Sequence, residues 1–127
     1  MSPRPSSLAE VSQRSAQGES FESELADFLH EFAFCGEVAM LADEPALLCD
    51  QSERGKIYDA YLAAVAASLS SKIDQPAPTW TRHGERILRE PWFSSPGRHM
   101  RALLLVESPA AFRERNLFVS ANALSIA

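Results

Sequence analysis

Between Asp59 and Lys72 the chain carries no charged side chain, and from Glu53 to Ser71 it carries no proline. Such a stretch has few folding options. Ile57, Tyr58, Tyr61, Leu62, Val65 and Leu69 recur at helical spacing, and Ala60, Ala63, Ala64, Ala66 and Ala67 occupy the other sides. A helix of about 19 residues would be about 28 Å long, and one that is apolar or small-sided all round is normally buried. The pattern therefore predicts a central Ala-rich strut whose alanines let neighbouring helices approach closely. At 127 residues the chain suits one domain with a real core.

The flanking segments also read as helices. Ser7 followed by Glu10 forms a capping box opening a short helix through about Gln17, which Gly18 ends. Residues 1–6, with Pro3 and Pro5, are expected to be disordered. Ser20 caps a stronger helix in which Phe21, Leu25, Phe28, Leu29 and Phe32 share one face, while Glu22, Glu24, Asp27 and Glu31 populate the rest. A brief apolar segment, VAML, follows Gly36, and Asp43 or Glu44 before Pro45 reads as a helix restart ending near Cys49. After a proline-bearing loop at 74–78, Thr79 to Glu90 is expected to be helical, with Pro91-Trp92-Phe93 as its breaker. That aromatic breaker reads as a core plug or as an interface anchor. Arg98–Glu107 reads as a buried helix, with a strand at Leu103–Val106 as the alternative. Ser108-Pro109 then starts a helix that Asn116 closes in a left-handed conformation. The expected fold is all-α, a compact bundle of five to seven helices over residues 7–127. Its last segment, 116–127, carries no charge although Leu117, Phe118, Val119, Leu124 and Ile126 are present. A tail of that composition packs onto its own domain or into a partner's groove.

Charge is unevenly divided. Residues 1–60 carry 12 acidic and 4 basic side chains, and residues 61–127 carry 5 and 8, seven of the eight being arginines. Two electrostatic poles bear on partner choice rather than on folding. Arg82, Arg86 and Arg89 recur at spacings of four and three, which on a helix forms one basic face suited to phosphate or guanine contacts. The competing reading pairs these arginines with the acidic half of the same chain. Glu85, Glu90, Glu107 and Glu114 dilute the stripe, and the net charge of −5 is unlike that of a strongly basic nucleic-acid domain.

Chemistry-bearing motifs are sparse. His30-Glu31 lacks the second histidine of a zinc-protease helix, and His83 and His99 stand apart. There is no nucleophile elbow, and the five glycines form no phosphate-binding loop. Cys35 and Cys49 lack any CxxC pairing and read as small buried hydrophobes. No catalytic residue, metal site or cofactor is expected. The amino terminus lacks a secretory apolar run, and no stretch reaches the roughly 18–20 apolar residues of a membrane span, so the expected location is the cytoplasm.

The segments FESELADFLHEF, ADEPALL, DAYLAAVAASL, EPWF and RALLLVESPAAFRERNLFVSANAL together resemble a family of small bacterial helical proteins. That family is encoded beside nucleotidyltransferase-like genes in toxin–antitoxin-type modules. The resemblance spans most of residues 20–127, and SPAAFRERNLFVSANAL is its most specific part. It brings no catalytic motif. It implies an antitoxin-like or accessory protein whose activity lies in contact with a cognate chain. On that reading Glu22, Glu24, Asp27 and Glu31 supply the electrostatic contact, and Phe118 and Leu124 supply apolar anchoring. A homo-oligomer is compatible with it. The alternative is a small DNA-binding regulator using Arg82, Arg86 and Arg89. A motif-free enzyme is a third reading.

Overall fold

The long uncharged stretch folds into the axis around which the other elements are arranged. The computed structural model describes residues 3–95, 97–121 and 123–124. Among them the order is α1 (Leu8–Ala16), α2 (Phe21–Cys35), α3 (Ala39–Ala42) and α4 (Gly55–Lys72). Two 3-10 turns, Thr79–Arg82 and Gly84–Arg86, precede β1 (Trp92–Phe93), α5 (Arg98–Glu107), α6 (Ala110–Arg113) and β2 (Leu117–Phe118). The protein is all-α, and among the described residues one two-residue parallel ladder pairs Trp92 with Leu117 and Phe93 with Phe118.

Local signals explain the first two helices. The Ser7 hydroxyl accepts from the Glu10 N–H at 3.1 Å, and Glu10 reaches back to the Ser6 N–H at 2.9 Å. The Ser20 hydroxyl caps α2 by accepting from the Ser23 N–H at 3.2 Å. Gly36 ends α2 at φ +58°, and its N–H returns to the Phe32 carbonyl at 2.8 Å. Phe21, Leu25, Phe28, Leu29 and Phe32 are all buried, as their spacing requires. On α4 burial runs nearly all round, taking in Ala60, Leu62, Ala63, Ala64, Val65, Ala66 and Leu69. Each Leu or Phe removed from water in this core contributes about 1.5–3 kcal/mol.

Five expectations are corrected. The amino terminus is held from residue 3 onward: Pro5 is buried, and an Arg14 Nη1 hydrogen bond to the Pro3 carbonyl measures 2.7 Å. The helix near Pro45 lies earlier, as α3, and residues 43–49 are irregular. Their backbone groups bond to side chains instead: the Leu48 N–H to Asp59, the Ala46 carbonyl to Ser12 and the Pro45 carbonyl to Arg86. The helix expected over Thr79–Glu90 is broken at His83, whose ψ of 145° leaves only two 3-10 turns. Helix α5 is present, but only Leu104 on it is buried. Cys35 is exposed rather than packed, and Cys49 is half-buried.

Trp92 and Phe93 serve as a strand as well as a chain break, because Asn116 turns the chain at φ +63° and lays β2 beside them. The Trp92 N–H donates to the Asn116 carbonyl at 2.9 Å, and the Ser94 N–H to the Phe118 carbonyl at 3.0 Å. The carboxyl segment therefore packs on its own domain through Leu124, with Leu117 and Val119 buried. Ile126 lies outside the described residues.

Gly55 opens α4 directly against residues 48 and 49. A Cβ there would lie 1.8 Å from the Leu48 carbonyl oxygen and 2.7 Å from the Cys49 Cα, both backbone atoms that cannot swing aside. Gly55→Ala should therefore cost about 3 kcal/mol despite its better helix propensity. Urea denaturation of the two proteins checks this, and equal midpoints would contradict the close approach.

Candidate functional site

Arg86 does not belong to a nucleic-acid face. Its side chain is 0% exposed. Nη1 donates to the Asp59 carbonyl at 3.3 Å and lies 3.8 Å from Asp59 Oδ1. Nη2 donates to Glu44 Oε2 at 3.2 Å and to the Pro45 carbonyl. The guanidinium also lies 5.0 Å above the Trp80 ring, whose Nε1–H bonds the Leu41 carbonyl at 3.1 Å. Arg115 is likewise turned inward, donating to the Thr81 carbonyl from Nε and Nη2, and burial lowers its pKa. Two of the second half's arginines thus act as internal fasteners. Arg82 and Arg89 stay exposed, but without Arg86, and without a continuous helix, the expected basic stripe does not form.

Asp59 is the counterpart of Arg86 and is almost fully buried. Burial raises its carboxyl pKa, while the Leu48 N–H at 2.7 Å and the Arg86 charge pull it back. Asp59 Oδ2, Arg86 Nε and Ser70 Oγ are buried without a hydrogen-bond partner among the described residues. The pair is sealed from solvent, so it organises the core rather than meeting a substrate.

The acidic candidates all lie on α2 but differ in availability. Glu24 is largely buried and is tied to Arg14 at 3.3 Å. Glu22 is exposed, accepting from the Tyr58 hydroxyl at 3.3 Å with Arg54 at 3.9 Å. Asp27 is exposed, and Glu31 is half-buried beside the Cys35 thiol at 3.6 Å. Desolvation and then the Glu31 charge push that thiol's pKa up, which disfavours the nucleophilic thiolate. The proposed anchors are used internally. Phe118 stacks on Phe93 with ring centroids 5.0 Å apart, and Leu124 packs partly buried against the core.

Sequence reasoning did not single out a cleft of about 430 Å³ between α2, α4 and the carboxyl segment. Phe21, Leu25, Leu29 and His30 line it from α2, Ile57, Tyr58 and Tyr61 from α4, and Trp92 and Val119 from the ladder region. Ile57, Tyr58 and Tyr61, expected as core stripe, are its half-buried wall. The one available signal was that large aromatics crowd the amino-terminal half of α4 while alanines fill the rest.

His30 borders this cleft, His83 lies 3.4 Å from Glu44, and His99 is exposed on α5. Among the described residues no three His, Cys, Asp or Glu side chains form a metal-holding group. No described helix is long and apolar enough to cross a membrane.

Helix α5 is the other unusual surface. Met100, Leu103, Leu105 and Val106 are 41, 49, 50 and 79% exposed, whereas Leu104 alone is turned into the body. Arg101 lies 5.3 Å from the Phe93 ring and Arg98 is exposed, so the apolar face has a basic edge. No family model, curated protein or solved structure matches the chain.

Replacing Arg86 by Met should destabilise the fold by about 3–5 kcal/mol, because it strands the buried Asp59 carboxylate. Arg82→Ala and Arg89→Ala should stay within about 0.5 kcal/mol of the parent. Chemical denaturation of the three variants separates the fastening residue from the solvated ones.

Proposed function

We propose that the chain is a non-enzymatic protein-binding module of bacterial cytoplasm, an antitoxin-like or accessory protein that covers a cognate nucleotidyltransferase-type partner. The observation that carries this reading is the apolar face of α5. Leu103 and Val106, three residues apart, share the outward side of the helix with Ala102, and Met100 and Leu105 flank them. A run of four large apolar side chains exposed by 41–79% is surface whose burial a partner would reward at about 25 cal/mol per Å². The resemblance to proteins encoded in toxin–antitoxin-type modules supplies the class of partner.

The acidic α2 face has a supporting part. Glu22, Asp27 and Glu31 are available to steer a basic, nucleotide- or RNA-facing surface toward this chain, while Glu24 is occupied by Arg14. The carboxyl segment acts indirectly. By packing on its own domain it buries Leu117 within the ladder and leaves the apolar contact to α5.

Co-purification with the product of the neighbouring gene tests the reading. Leu103→Glu combined with Val106→Glu should weaken that complex at least about 100-fold with no loss of folded stability, since Leu104 is untouched. Undiminished affinity would reject α5 as the contact surface. Asp27→Lys with Glu31→Lys should slow association several-fold and flatten its salt dependence, as reversal of a steering charge does. An unchanged association rate would remove the steering role.

A further inference from the structure

The cleft between α2, α4 and the carboxyl segment combines two properties that together specify a ligand chemistry. Its walls are aromatic on several sides: Phe21, Tyr58, Tyr61 and Trp92 all line it. Phe21 stacks on Tyr58 at 4.0 Å and meets Tyr61 edge-on at 6.4 Å, so the three rings hold one another in place. Its rim carries the Glu22 carboxylate, largely exposed and held toward the rings by the Tyr58 hydroxyl at 3.3 Å. Of the acidic side chains on α2, Glu22 lines the cleft, whereas Asp27 and Glu31 lie on other sides of the helix.

From this arrangement we infer that the cleft binds a small organic cation with an apolar body, a quaternary or alkylated ammonium group carried on an aryl or alkyl frame. The volume of about 430 Å³ lies in the range of small-molecule sites. Aromatic faces attract a cation through their quadrupoles, and a weakly hydrated ammonium loses little on leaving water. An anion of the same shape meets Glu22 instead.

Three groups on the lining bear on the assignment. Arg54 opposes a cation, but it is an exposed side chain whose nearest approach to Glu22 is 3.9 Å, so a bound ammonium competes for that carboxylate by displacing a loose partner. His30 is half-buried on the same wall. Its imidazole adds a polar group to that wall. The Tyr61 hydroxyl stays a neutral phenol, since burial raises its pKa above the ordinary tyrosine value.

The inference is independent of the partner surface on α5, and its test uses the full chain alone. Calorimetric titration at pH 7 would compare para-hydroxyphenyltrimethylammonium with its neutral isostere para-tert-butylphenol and the anion para-hydroxybenzenesulfonate. The cation should bind about tenfold more tightly than the neutral isostere, and the sulfonate should not bind. Glu22→Gln should weaken the cation several-fold without changing the neutral compound, and Arg54→Gln should tighten it. Both residues are solvent-exposed, so neither variant endangers the fold. Equal affinity for the cation and its isostere would reduce the cleft to an unselective apolar pocket and overturn the assignment. So would absence of cation binding at millimolar concentration by protein whose circular dichroism is unchanged.

Discussion

A single buried ion pair determines how the irregular half of this molecule meets its helical half. Arg86 comes from a 3-10 turn with no helical context of its own, yet it reaches Asp59 on α4, Glu44 and the Pro45 carbonyl in the segment after α3, and the Trp80 ring. Asp59 in turn holds the Leu48 N–H. Residues 43–49 have almost no backbone ladder, so these side-chain bonds satisfy groups that would otherwise be buried unpaired. The desolvation of two charges makes this costly to build and more costly to break. It explains why a glycine stands where α4 begins, since the same segment presses backbone against backbone at Gly55.

With the core closed in this way, the remaining features sort by surface. Helix α5 is attached through Leu104, through Ser108, whose hydroxyl accepts from the Val119 N–H at 2.8 Å, and through Glu107, which accepts from the Ala121 N–H. Its outward apolar side is left uncovered. The cleft on the α2 side is formed by the same carboxyl segment, which bridges from the α5 end of the molecule to the aromatic wall of α4. One segment therefore shapes both the surface assigned to a protein partner and the pocket assigned to an organic cation. Of the acidic half of the chain, Glu22 is the carboxylate that borders this pocket.

Much of the helical content was legible because its signals are local. The Ser7 and Ser20 caps, the left-handed Asn116, and the 3.6-residue spacing of Phe21, Leu25, Phe28, Leu29 and Phe32 act within a turn or two of chain. The candidate site was less legible. Arginines at spacings of four and three look like a solvated helix face when the alternative, a guanidinium turned inward onto an aspartate 27 residues away, leaves no periodic trace. The apolar run 103–106 had the composition of a core helix, yet Leu104 alone of it is buried and Leu103, Leu105 and Val106 are left exposed.

The sequence by itself determined that this chain is all-α, that a long uncharged helix is its central strut, and that the acidic and basic residues divide between its halves. Those properties follow from backbone propensity, periodicity and composition, which need no knowledge of distant neighbours. Only the tertiary structure decided which charges are spent inside, which apolar helix faces water, and where a cleft opens. Those outcomes depend on contacts between residues far apart in the chain, and the free energy of such a contact is set by burial and geometry that no local pattern encodes.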